Sequence, residues 1–326
     1  MKYANSPLAG TILGALVGDA ASVGFHWLYD QKRIKEIAPE HPEFRTPTPS
    51  DYNGVPGYYA HGLKKAGDFS QYGEQAMVLL RSLVANSGKY DKDHYEKLFC
   101  EHFGYGGQYV GYIDHPTRDT LNNVANTGSD THKRNEKREM YHGADDEQLT
   151  ALAKLPALIA VYQGNSQLSE VVESAVRVTN NNNLAVEFGL ASASIIESVI
   201  QGKTTETAIL HACKGRSQDV TECIKKAISL TPEDNVAVTS KFGTSCKLIY
   251  GVPSVVHNAL TSESYSTAIR KNIYAGGDSC GRAMLLGALL GAANGIGGDK
   301  GIPLQWIEKL TQRDGVDSLI KKLLSL

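Results

Sequence analysis

Apolar residues along this chain recur mostly at the three-to-four-residue spacing of a helix face, and strict alternation of the strand type is nearly absent. Met77, Leu80 and Val84 fall on one face of segment 74–84, and a second amphipathic stretch runs from Asp91 to Phe103. The same spacing predicts helices over 146–163, 168–178, 184–201, 205–213, 219–228, 253–260, 264–274, 279–294 and 303–324. Gly164-Asn165 and the run Asn180-Asn181-Asn182-Asn183 punctuate them. Two stretches read as irregular. Residues 44–68 interleave Pro47, Pro49, Pro56, Gly54, Gly57 and Gly62 with Tyr52, Tyr58 and Tyr59, and residues 104–143 are rich in Gly, Asn, Thr and Asp. Loops of that length in a compact domain are usually functional or disordered. No composition shift divides the chain, so the expectation is all-α: one compact orthogonal bundle of many helices over residues 1–326.

A pattern of small residues links the two ends. Gly10, Gly14 and Gly18 recur every four residues in the first helix, as do Ala283, Gly287, Gly291 and Gly295 near the C-terminus. A glycine inside a helix costs about 1 kcal/mol relative to alanine, so a stripe of them needs a packing reason. Close approach of two helices along faces that lack bulk supplies one. The two segments are therefore expected side by side at the centre.

Charge adds little to this picture. Lys and Arg number 33 against 35 Asp and Glu, a formal charge of -2 that offers no nucleic acid or membrane surface. The densest charged run, His132 to Glu139, mixes signs and reads as a solvated loop or helix end. Five cysteines, Cys100, Cys213, Cys223, Cys246 and Cys280, are widely spaced with no C-x-x-C pair, which argues for reduced thiols rather than a disulfide or zinc framework. The N-terminus lacks a signal-peptide pattern, and no stretch reads as the roughly 20 apolar residues of a membrane span. A cytoplasmic monomer is expected.

Leu13-Gly14-Ala15-Leu16-Val17-Gly18-Asp19-Ala20 ends the first helix in G-D-A, and Gly276-Gly277-Asp278-Ser279 precedes the last glycine-rich helix, Leu285 to Ala292. Between them stand a Val252-Pro253 helix start and the segment Ser264 to Arg270. This ordered set resembles the ADP-ribosylglycohydrolase family from about residue 8 to 324, which implies that family's all-α fold. His26-Trp27-Leu28-Tyr29-Asp30 resembles the branch that includes the jellyfish lens J-crystallins.

Hydrolytic members of the family carry T-D-D-T and G-G-D-T-D-T clusters that hold two Mg²⁺ ions, hard cations that take oxygen ligands. Here the first cluster aligns with Tyr72-Gly73-Glu74-Gln75 and the second with Asp278-Ser279-Cys280-Gly281. Only Glu74 and Asp278 keep carboxylates, a set that would hold Mg²⁺ weakly at best, so no cofactor is expected. If hydrolysis survives, the resemblance implies Glu74 and Asp278 as metal or water-activating residues with Asp146 assisting. Asp19, His26, Tyr72, Gly276, Gly277 and Ser279 would then contact ADP-ribose or a related nucleotide-sugar ligand.

Plainer roles compete with these. Asp145 or Asp146 reads first as a helix N-cap with Glu147 in the first turn; Asp68 or Ser70 caps the helix carrying Glu74, and Asp19 caps a turn after the first helix. His26 to Asp30 reads equally as packed aromatic core. His115 is a lone loop histidine, and Cys280 at a helix N-terminus is a nucleophile candidate without an assured base. Gly276-Gly277-Asp278 opening a helix could bind an anion through free N–H groups. Three functions follow from the resemblance: a J-crystallin-like structural protein, the leading expectation, a hydrolase with altered ligands, and a non-catalytic ADP-ribose sensor.

Overall fold

Ser6 opens the first helix by accepting the N–H of Ala9, and Pro7 sits at the first helical position where its missing N–H costs nothing. In this computed structural model, which describes residues 6–128 and 141–326, the helices run α1 (Pro7–Ser22), α2 (Gln31–Ile37), α3 (Gln71–Ala85), α4 (Lys92–Phe103) and α5 (His115–Gly128). Then come α6 (Thr150–Ala153), α7 (Leu155–Tyr162), α8 (Leu168–Thr179), α9 (Asn183–Ile200), α10 (Thr205–Ala212) and α11 (Gln218–Ser229). The chain closes with α12 (Asn235–Phe242), α13 (Leu248–Thr261), α14 (Tyr265–Tyr274), α15 (Ser279–Asn294), α16 (Leu304–Ile307) and α17 (Arg313–Leu324). Among the described residues β pairing is limited to isolated bridges, so the all-α expectation holds. The charged run His132 to Glu139 lies outside the described residues.

α1 and α15 form the central antiparallel pair, with α3, α7, α9, α13 and α14 around them. A Cβ added to Gly10 would fall on the carbonyl oxygen of Gly291, one on Gly14 on that of Gly287, and the reverse pairs clash equally. At Gly18 it would lie 2.8 Å from the Ala283 carbonyl oxygen, still inside the separation that real Cβ atoms keep. The backbones touch along the stripe, and Tyr265 donates its hydroxyl to the Gly14 carbonyl at 2.5 Å. Gly295 is not in the stripe. It caps α15 at φ 69, ψ -155, a conformation open essentially to glycine alone.

Several boundaries differ from the sequence reading. Segment 146–163 is two short helices, because the backbone at 147–149 bonds to 246–248 instead of to a helix: Leu149 donates to the Cys246 carbonyl and Leu248 to that of Glu147. Segment 303–324 likewise splits into α16 and α17, and 104–143 contains α5. Pro253 lies inside α13 rather than at its start, and the carbonyl it leaves free, Ile249, lies 3.8 Å from the Cys223 thiol. Two helices, Pro7–Phe25 and Asn183–Ile200, are long and apolar enough to cross a membrane, contrary to the sequence reading; 94% and 61% of their apolar windows are buried inside the fold.

Candidate functional site

The C-terminal half of α1 and the N-termini of α3 and α15 meet in the interior, and each brings a polar side chain. Asp19 lies within α1, not after it, and is fully buried. It accepts the Ser70 N–H at 2.8 Å and the Ser70 hydroxyl. Ser70, not Asp68, caps α3, since its oxygen accepts the Tyr72 N–H at 3.1 Å. Burial pushes the Asp19 carboxyl up to about 7 against the pull of those Ser70 bonds. Gly73 is required here because a Cβ would strike the Asp19 carboxylate.

Asp278 caps α15 through the Gly281 N–H at 2.8 Å and receives the Tyr72 hydroxyl at 2.7 Å. Burial raises its carboxyl to about 6, with the Tyr72 bond and nearby Arg282 acting the other way. His26 is buried beside it, Nδ1 3.6 Å from Asp278 Oδ1. That nitrogen accepts the Cys280 N–H at 3.3 Å, which assigns the ring proton to Nε2, an atom without a partner. Burial holds His26 well below the usual imidazole range, so it is neutral.

The backbone N–H groups of the glycine pair are occupied within the protein. Gly276 donates to Ile273, Gly277 to Leu28 at 2.8 Å, and Asp278 to Thr244 at 2.8 Å. The Ser279 hydroxyl donates to the Ser22 carbonyl at 3.2 Å. Cys280 is buried and its thiol pushed well up by that burial, the opposite of an activated nucleophile.

Glu74 is also nearly buried and held at both oxygens, by His102 Nε2 at 3.0 Å and Gln312 Nε2 at 3.0 Å. Burial pushes its carboxyl up, but the His102 bond and the Lys64 and His102 charges outweigh it and hold the group below its usual range. The Mg²⁺ pair that the family resemblance implies does not fit these donors. The two carboxylates are tied to different partners, and among the described residues no three His, Cys, Asp or Glu side chains are grouped to hold a metal ion.

Asp146 and Asp145 do not cap a helix. Asp146 accepts the Gln148 N–H and side-chain amide, each at 2.8 Å, and the Asn180 amide at 3.2 Å; Asp145 accepts from Asn182. Glu147 pairs with Lys247 at 3.1 Å. The sequence reading missed Asp114 and Lys154. Asp114 is buried, caps α5 through the Thr117 N–H at 3.0 Å and accepts the Thr150 hydroxyl at 2.5 Å. Asp114-His115-Pro116, an acceptor with proline in the first turn, is the signal that marks this helix start. His115 itself is exposed as the first residue of α5. Lys154 is fully buried with its ammonium on Thr179, and burial lowers it to about 7. No local signal marks it within its apolar run.

Trp27 adds an aromatic wall. It holds φ 60, rare for so bulky a residue, fixed by its N–H on the Gly277 carbonyl at 2.8 Å and its own carbonyl accepting from Tyr58. Its ring lies 4.8 Å from Tyr112, edge-on, and 6.0 Å from His61, stacked. His61 is buried with both nitrogens unpartnered, and burial lowers it to about 3.

An all-α bundle centred on a glycine-faced helix pair, with acids at the ends of its first and last long helices, defines a class that comparison with known proteins names. The ADP-ribosylglycohydrolase family profile matches residues 4–326, and the chain belongs to that family. Crystallin J1A of Tripedalia cystophora is 29% identical over 96% of this chain and 94% of that protein. Crystallin J1B of the same animal is 29% identical over 91% and 90%. An uncharacterised protein of Archaeoglobus fulgidus is 23% identical over 97% and 95%. Among solved structures, an "ADP-ribosylglycohydrolase-related protein complex" superposes with TM-score 0.73 over 99% of this chain and 98% of that one at 20% identity, a likeness of fold.

Proposed function

We propose that this protein is a J-crystallin-like structural member of the family, a cytoplasmic monomer in which two-metal ADP-ribosyl hydrolysis does not operate. One observation carries the reading: the groups that would bind metal and pyrophosphate are bonded to other parts of the protein. Glu74 is held by His102 and Gln312, Asp278 by Tyr72 and Gly281, Asp19 by Ser70, and the glycine-pair N–H groups by Ile273 and Leu28. Such groups add to the stability of a buried interior, and freeing them for a ligand would cost their present bonds. The likeness to two jellyfish crystallins supports a role that asks chiefly for solubility and stability.

A second reading, an ADP-ribose-binding or hydrolysing protein without metal, draws on the two buried carboxyls, Asp19 near 7 and Asp278 near 6. Groups that titrate in this range can act as general acid and base. Calorimetric titration with Mg²⁺ and ADP-ribose, separately and together, alongside an assay for ADP-ribose release from N- and O-linked substrates, separates the two. The structural reading expects no saturable heat at millimolar ligand and no release. Coupled binding of both ligands would overturn it, and release without Mg²⁺ would establish the second reading.

A further inference from the structure

Two side-chain bonds set α3 and α4 side by side in antiparallel register. Ser82 meets His94 Nδ1 at 2.8 Å, and Glu74 meets His102 Nε2 at 3.0 Å. That register brings Val78 level with Leu98, and Arg81 to the turn that follows His94. A cavity of about 310 Å³ opens against both helices and Gln108 beyond the end of α4. Its volume is at the small end of ligand pockets.

The two ends of this cavity differ in chemistry. Arg81 and His94 border one end. Arg81 is half-buried and has no hydrogen bond or ion pair among the described residues. Ser82 is buried and its hydroxyl has no other acceptor among the described residues, so it donates to His94 Nδ1. The His94 ring proton is then on Nε2, a donor without a partner. Glu101, His102 and Gln108 border the other end. His102 is 8% exposed; its ring donates through Nε2 to the Glu74 carboxylate, which leaves Nδ1 a buried acceptor with no partner. Glu101 has Lys97 alone, at 3.6 Å, an exposed pair of a kind that contributes little. The apolar Val78 and Leu98 wall the stretch between the ends. From His94 to Glu101 the helix rises about 10 Å. The partial charges of α4 follow the same order, positive at the first turn with His94 and negative at the last with His102.

We propose that this cavity binds a linear ω-amino carboxylate, its carboxylate on Arg81 and His94, its alkyl chain on Val78 and Leu98, and its ammonium on Glu101 and Gln108. A guanidinium takes a carboxylate through paired N–H donors. A simple carboxylate would leave the acceptor end unmet, and a simple amine would leave Arg81 unmet. An α-amino acid carries both charges at one end of its chain and so engages one end of the cavity only. Neither Asp19 nor Asp278 borders the cavity, so the proposal stands apart from whether the protein is structural or hydrolytic.

Calorimetric titration of the full chain with δ-aminovalerate at neutral pH tests it, with sodium chloride of equal ionic strength as reference. The expected result is saturable binding, weakened about tenfold by Arg81→Gln and by Glu101→Gln. Asp93→Asn, on α4 but outside the cavity wall, should leave the affinity unchanged. With the unaltered protein, valerate, pentylammonium and norvaline, the α-amino isomer, should each bind at least tenfold more weakly. No saturation by δ-aminovalerate overturns the proposal. Equal affinity for norvaline or valerate also overturns it, whatever the variants do, as does an unchanged affinity in Glu101→Gln, whose exposed position on α4 leaves folding intact.

Discussion

Asp19 ionises near 3.8 in an unfolded chain and near 7 in the fold, because burial removes the water that would solvate its charge. Between those values the folded state binds more protons than the unfolded one, so Asp19 makes stability fall as pH rises from about 4 to 7. Asp278, raised to about 6, acts in the same direction over a narrower window. The buried imidazoles oppose them. His61 drops from 6.5 to about 3, so the unfolded state binds more protons in that interval and stability rises with pH through it. Asp19→Asn should therefore make stability climb more steeply between pH 4 and 6.5, and His61→Asn should flatten or reverse the climb. Urea unfolding followed by circular dichroism across that range checks both signs. Of these residues the sequence marked Asp19, His26 and Asp278 through their motifs. It could not mark His61 or Lys154, whose burial depends on segments far away in the chain.

At the scale of elements, the contact of α1 with α15 rests on the absence of side chains. Gly14→Ala would press a methyl group into the Gly287 carbonyl, where backbone meets backbone and no rotamer can yield. The expected loss is at least about 3 kcal/mol in denaturant unfolding, at the upper end of overpacking costs. Gly295→Ala should cost roughly 1–3 kcal/mol for a different reason, the φ 69, ψ -155 backbone at the end of α15. A loss at Gly14 no larger than an ordinary helix Gly→Ala exchange would refute the close approach. The four-residue period made this pairing legible before any coordinates. The breaks inside 146–163 and 303–324 were not legible, because the apolar pattern continues across them while the backbone bonds go elsewhere, as at Leu149 and Leu248.

For the whole molecule, the central helix pair joins the two ends of the chain, so the interior is completed only when the last quarter docks. A chain ending at Gly277 would leave the α1 stripe and the Asp19 end of the site without α15. Such a chain should lose near-ultraviolet dichroism and bind hydrophobic dyes in the manner of a molten globule. A cooperative native spectrum from it would contradict the central role of the pair. The sequence by itself determined the helical class, the glycine stripes and the family, because these depend on local spacing and on which side chains are present. Only the tertiary structure decided that Glu74 turns to His102 and Gln312, that Ser70 serves Asp19, and that Thr150 holds Asp114. The partners of a buried polar group are set by which elements pack together across tens or hundreds of residues, and no local pattern records that choice.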